Sequence, residues 1–213
     1  MGPGSPRHRL PLEPCVQRIR SGVTGSDGRA GGAGARRSHS RAMGSSEPLD
    51  STRTAFRQAL ALIAWLVISF AASAVGAIAS VRAAAFYSDL VQPSWAPPPS
   101  VFGPVWTALF TAMGVAAWLV WRSGGWRARR TALTLFLAQL VLNALWSWLF
   151  FAWQLGAAAL VDIVVLWVLV LATLVAFWRA RPLAGALLVP YLLWLSFAAA
   201  LNFALWRLNP QVL

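Results

Sequence analysis

Gln92-PSWAPPPSVFGPVWTALFTAMGVAAWLV-Trp121 is the stretch whose reading decides the fold. Its first half, to Trp106, packs five prolines and two tryptophans into fifteen residues. Each proline fixes its own φ and drives the residue before it into extended conformations, so this half reads as a stiff loop bearing flat aromatic faces. Its second half, about 101–121, is an apolar run long enough to cross about 30 Å of hydrocarbon as a helix.

Outward from that segment the pattern repeats. Further apolar runs cover about 55–81, 131–153, 156–178 and 183–206, separated by short polar or basic turns at Arg122–Arg130 and Arg179–Pro182. Of the 213 residues 58% are hydrophobic and 11% charged. A soluble domain of this size cannot bury five such helices on every face. The fold class is therefore an all-α membrane protein, a five-helix transmembrane bundle over residues 51–213 with a disordered tail over 1–50. That tail is rich in Gly, Ser, Pro and Arg, a composition too poor in large apolar groups to offset its ordering entropy. It has no apolar core of a secretory signal, and an alternative is that translation starts at Met43.

All eighteen basic residues are arginine. They sit in the tail and at helix ends and form no basic face, which argues against a nucleic-acid partner. Near the helix ends eight of them (Arg53, Arg57, Arg122, Arg127, Arg129, Arg130, Arg179, Arg181) fall on the N-terminal side and two (Arg82, Arg207) on the other. Arginine excess marks the cytoplasmic side, so the N-terminus is expected inside and the proline loop outside. Cys15, His8 and His39 all lie in the tail, so the spans hold no cysteine or histidine for zinc, haem or a disulfide. No Walker loop, metal-ligand cluster or nucleophile–base pair is present, so pumps and conventional hydrolases have no support in the sequence.

Depth along each helix, at about 1.5 Å per residue, picks out the unusual residues. Trp106, Trp146, Asp162 and Asn202 lie roughly 7–11 Å below the loop-side surface. Asn143 lies deeper and Trp194 near the bilayer centre, so together they are expected to line a cavity under the loop. Asp162 is the one acid inside a span, a candidate functional group by default, with pairing to Arg82 or Arg207 as the alternative. For Gln139, Asn143 and Asn202 the alternative is interhelical glue, the commoner role of amides in membranes. Ala72, Gly76 and Ser80, four apart on the first span, are expected to let another helix approach within the bundle. Flat apolar walls with a few amides suit a large, planar, hydrophobic guest.

The chain resembles the TspO/translocator protein family of tryptophan-rich sensory proteins. The matching residues are Pro93-Ser94-Trp95-Ala96-Pro97-Pro98, Gly103-Pro104-Val105-Trp106, Met113-Gly114, Gln139 to Asn143, Trp146, Phe150-Phe151, Ala159 to Asp162, Pro190 to Trp194, Leu201-Asn202-Phe203 and Trp206 to Asn209. The resemblance covers about residues 60–209. It implies five transmembrane helices, usually in a homodimer, and a pocket under the first loop for porphyrins such as protoporphyrin IX, with no required cofactor and no bound metal. By the same resemblance Trp95, Trp106, Asn143, Trp146, Trp194, Ala198 and Leu201 would line that pocket, with Pro97, Pro98, Gln139, Asp162 and Asn202 as its wall or support. The implied function is a multi-pass receptor or carrier of tetrapyrroles, in a bacterial cell membrane, acting in stress sensing or transport. Light- or oxygen-dependent porphyrin breakdown and a ligand-free structural bundle are the alternatives. Phe203 stands where the family's sterol-recognition stretch has tyrosine, Gln92 where its loop has lysine, Phe110 where tyrosine is common, and Ala157 where some members have tryptophan.

Overall fold

Five apolar helices with so few charges must satisfy their own backbone hydrogen bonds and pack against one another, and the computed structural model has that architecture. It describes residues 47–213, with side chains from 52 onward. The expected tail disorder, the start at Met43, Cys15 and both histidines fall outside the described residues, except that residues 47–50, expected in the tail, are already helical. Once the apolar span has nucleated a helix, each added residue gains a hydrogen bond at little cost, so the helix extends beyond the apolar run.

The elements are α1 (Glu47–Ala79), a short α2 (Ala83–Asp89), a 3₁₀ turn (Pro99–Val101), α3 (Phe102–Arg122), α4 (Gly125–Ser147) continued by a π-helical turn (Trp148–Ala152), α5 (Gly156–Ala180), α6 (Pro182–Ala186) and α7 (Val189–Leu208). The five stretches long and apolar enough to cross a membrane are Thr52–Ala79, Pro99–Arg122, Gly125–Ala152, Gly156–Ala180 and Pro182–Leu208. α4 packs on α5, α1 on α3 and α4, and α5 on α7.

Two boundaries differ from the sequence reading, each for a local reason. The basic turn expected over Arg122–Arg130 shrinks to Ser123–Gly124, because Gly125 takes φ 69°, a left-handed conformation cheap only for glycine, and α4 starts there. Arg129, at φ −120°, then kinks the first turns of α4. The last span is not one helix: Pro190 has no N–H to donate and sits in the first turn of α7, so α6 ends at Ala186 and a short break precedes α7.

Close approaches occur where side chains are absent. A Cβ on Gly76 would lie 3.0 Å from Ser147 Oγ, so α1 and α4 nearly touch there, on the small-residue face expected to admit a neighbouring helix. A Cβ on Gly114 would lie 2.8 Å from Leu66 Cδ2 and 3.1 Å from Leu66 Cα, which brings α3 equally close to α1. The half of the bundle towards the arginine-rich end is solid: Phe136 stacks on Phe177 at 5.8 Å and meets Trp65 edge-on at 5.9 Å, with Met113, Leu133 and Leu166 buried around them. The half towards the proline loop is where space remains.

Candidate functional site

The loop alone has few ways to hold itself, and its neighbours fasten it. Tyr87 at the end of α2 donates its hydroxyl to the Pro97 carbonyl at 3.1 Å, and Gln92 Nε2 donates to the Tyr87 carbonyl at 2.6 Å. Asn209, just past α7, treats Val91 as a strand neighbour would: Oδ1 accepts from Val91 N at 2.8 Å and Nδ2 donates to Val91 O at 3.0 Å. Both backbone groups of Val91, which lies outside the helices, are thereby satisfied. The loop is fastened to α2 and to the end of α7.

Beneath it lies a cavity of about 460 Å³ between α1, α3, α4 and α7. α3 and α7 face each other through rings: Trp106 meets Tyr191 at 6.2 Å and Trp194 at 6.5 Å, and Phe102 meets Trp194 at 6.0 Å. The α4 wall is Trp146, stacked on Phe150 at 5.3 Å with 12° between the planes. The π-helical turn makes this wall. Its wider winding carries Phe150 and Phe151 onto the cavity, and the chain leaves it through Gln154 at φ 56°, an uncommon left-handed residue that ends α4 abruptly.

Two amide groupings fix the walls. Asn202 accepts from Trp146 Nε1 at 3.1 Å and donates through Nδ2 to the Gly156 carbonyl at 3.0 Å, so one side chain joins α4, α5 and α7. Deeper, Asn143 Nδ2 donates to the Tyr191 hydroxyl at 2.9 Å, which donates to Gln139 Oε1 at 3.1 Å, and Gln139 Nε2 points at Met113 Sδ at 3.7 Å. In an apolar surround such groups stay paired, because an orphaned buried partner costs about 1–3 kcal/mol.

Of the residues singled out in the sequence, Trp106, Asn143, Trp146, Trp194, Ala198, Leu201 and Asn202 line the cavity. Gln139 is buried behind it and acts through Tyr191. Pro97 supplies a roof carbonyl, and Pro98 precedes the 3₁₀ turn without reaching the cavity. Trp95 does not line it: the side chain is 49% exposed, and its ring meets Phe197 of α7 edge-on at 5.8 Å. Asp162 shares the expected depth but not the wall. Depth follows from rise alone, whereas the direction a residue faces follows from how the helix is rotated, and α5 turns Asp162 away. Pairing of Asp162 with Arg82 or Arg207 is likewise corrected: among the described residues no ion pair or side-chain hydrogen bond reaches it, although it is only 8% exposed and its Oδ2 is buried without a partner. Asp162→Asn therefore removes a costly carboxylate without breaking a bond, and thermal unfolding in detergent is expected to show unchanged or higher stability, by up to about 2 kcal/mol. A large loss of stability would mean that the carboxylate is needed.

Sequence reasoning missed the α1–α2 wall: Ser73, Gly76, Ala77, Ser80, Ala83 and Ala84 face the cavity. Its signal was the density of small residues from Ala71 to Ala85, which marks space as much as helix contact. Tyr191 was quoted only within a motif, since a tyrosine in an apolar run does not announce its partners.

Five membrane-length helices around an aromatic-walled cavity, roofed by a pinned loop, define a multi-pass integral membrane protein. Residues 59–207 match the TspO/MBR family, and the chain belongs to that family. It is 48% identical to the tryptophan-rich protein TspO of Chlorobaculum tepidum over 127 residues, 59% of this chain and 80% of that one. It is 43% identical to the translocator protein of Homo sapiens over 126 residues, 58% of this chain and 75% of the human one. With the tryptophan-rich protein TspO of Archaeoglobus fulgidus it shares 42% identity over 148 residues, 70% of this chain and 94% of the relative.

Proposed function

We propose that this protein binds tetrapyrroles of the protoporphyrin type in the cavity beneath the loop, as a receptor or carrier in a bacterial cell membrane, with its N-terminus in the cytoplasm. The single observation that carries the reading is the cavity wall: rings of Trp106, Trp146 and Trp194 from three different helices around about 460 Å³ of space. That volume falls within the roughly 300–1,000 Å³ typical of small-molecule sites. A flat conjugated guest gains most from such walls, by stacking and by wide apolar burial. Asn143 and Asn202 offer polar contacts at the wall, which suits a ring system bearing polar substituents. The family resemblance also supports a homodimer in the bilayer.

Titration of detergent-purified protein with protoporphyrin IX tests the proposal. Saturable quenching of tryptophan fluorescence is expected, with a rise in thermal stability. Ligand at one hundred times its dissociation constant adds about 2.7 kcal/mol to a native state that alone binds it. Absence of both signals would leave the bundle as a structural element. Progressive loss of the porphyrin absorption band while bound would instead favour breakdown of the ligand.

A further inference from the structure

We infer that the cavity is entered sideways from the bilayer, through a portal between the α1–α2 segment and the start of α3, and not from water through the proline loop. The inference rests on the porphyrin reading above for its probe. Lining residues from α4 and α7 are all buried or half-buried, whereas the exposed ones are Ala77 and Ala84 on one side and Pro99, Gly103 and Thr107 on the other. The mouth is therefore where those two segments face each other. Ala77 lies in the first membrane-length stretch and Gly103 and Thr107 in the second, so the mouth opens at the level of the loop-side leaflet.

The two sides are built to part. Further along, α1 and α3 are locked: Trp118 Nε1 donates to the Gln58 carbonyl at 3.2 Å, Phe70 lies 6.3 Å from Phe110, and Gly114 sits against Leu66. At the mouth the residues are small, and their hydroxyls are spent within their own helices. Ser80 Oγ donates to the Gly76 carbonyl at 2.9 Å and Thr107 Oγ1 to the Gly103 carbonyl at 2.9 Å. Among the described residues no side-chain hydrogen bond crosses from Ser73–Ala84 to Gly103–Thr107. At Ser80 and Thr107 the rim therefore presents no unmet hydroxyl to lipid. The roof is the opposite case, held by Tyr87, Gln92 and Asn209 as described. Opening it would break several hydrogen bonds at once, whereas the portal lies below the Tyr87–Pro97 bond and the Tyr87–Phe102 edge contact at 5.5 Å, and widening it there breaks no side-chain hydrogen bond. A guest already dissolved in the membrane thus meets the looser boundary first.

The test uses full-length protein in phosphatidylcholine vesicles, with protoporphyrin IX delivered from a second vesicle population and tryptophan quenching followed by stopped flow. Gly103 has open space where a Cβ would stand, with nothing within 4 Å, so Gly103→Phe fills the portal from the α3 side without intruding on the packed core. Association and dissociation are expected to slow together by about tenfold or more, the signature of a blocked passage as opposed to a damaged wall. Thr107→Phe is a second, independent obstruction with the same expectation. Asn209→Ala, which loosens the roof, is expected to leave the association rate where it was. Unchanged rates in the obstructed variants, or faster association in Asn209→Ala, would overturn the portal while leaving the binding site intact. A wild type that shows no saturable quenching overturns the porphyrin reading itself, and this inference with it.

Discussion

Trp146→Ala is expected to weaken protoporphyrin IX binding by about 30-fold or more, roughly 2 kcal/mol, measured by fluorescence titration of the remaining tryptophans. Three losses combine. The indole is a wall of the cavity, so its removal takes away one flat face against which a guest stacks. Its Nε1 is the donor to Asn202 Oδ1, so the amide that ties α7 to the start of α5 loses a partner inside an apolar surround. Phe150, stacked on the indole at 5.3 Å, loses its support and is free to swing into the space. Trp146→Phe separates these effects. It keeps a flat face and the stack on Phe150 and gives up the N–H, so a loss of under about fivefold is expected. If Trp146→Ala binds as the wild type does, the guest is elsewhere and the cavity has another purpose.

Gly185→Ala should produce the largest loss of stability from a single added methyl group, about 1–3 kcal/mol by thermal unfolding in detergent. The new Cβ would stand 2.8 Å from Trp178 Cα, 2.8 Å from its Cβ and 2.7 Å from its Cε3. The nearest atoms include backbone, which cannot rotate out of the way as the end of a flexible side chain can. The turn from α5 into α6 must therefore open, and with it the entry of the last span on which Tyr191, Trp194 and Asn202 depend. Gly103→Ala is the matched control. Nothing lies within 4 Å of its Cβ position, and alanine favours a helix over glycine by up to about 1 kcal/mol, so stability should hold or rise. Equal destabilisation by the two changes would mean that the close packing at Gly185 carries little energy.

The difference between those glycines shows where legibility stops. Both stand in apolar helices, and nothing in the local sequence separates a glycine pressed on a tryptophan backbone from one facing open space. The same holds for the polar residues. That Asn202 and Asp162 lie at one depth follows from counting residues along helices of known rise. That Asn202 joins three helices while Asp162 faces none of its supposed partners depends on the rotation of α5 and α7, which many neighbours set together.

The amino-acid sequence by itself determined the membrane-spanning class, the succession of five spans and the stiffness of the loop, because each follows from properties local to a segment: length of apolar run, proline content, rise per residue. Of the seven residues that the family resemblance implies, six lie on helices that meet around one cavity, Trp95 being the exception. Only the tertiary structure decided that α1 supplies a wall of small residues, that Asn209 pins the loop through Val91, and that the last span breaks before α7. Those outcomes rest on which faces of distant segments come together, and helix rotation, unlike helix length, is settled by the sum of contacts across the whole bundle.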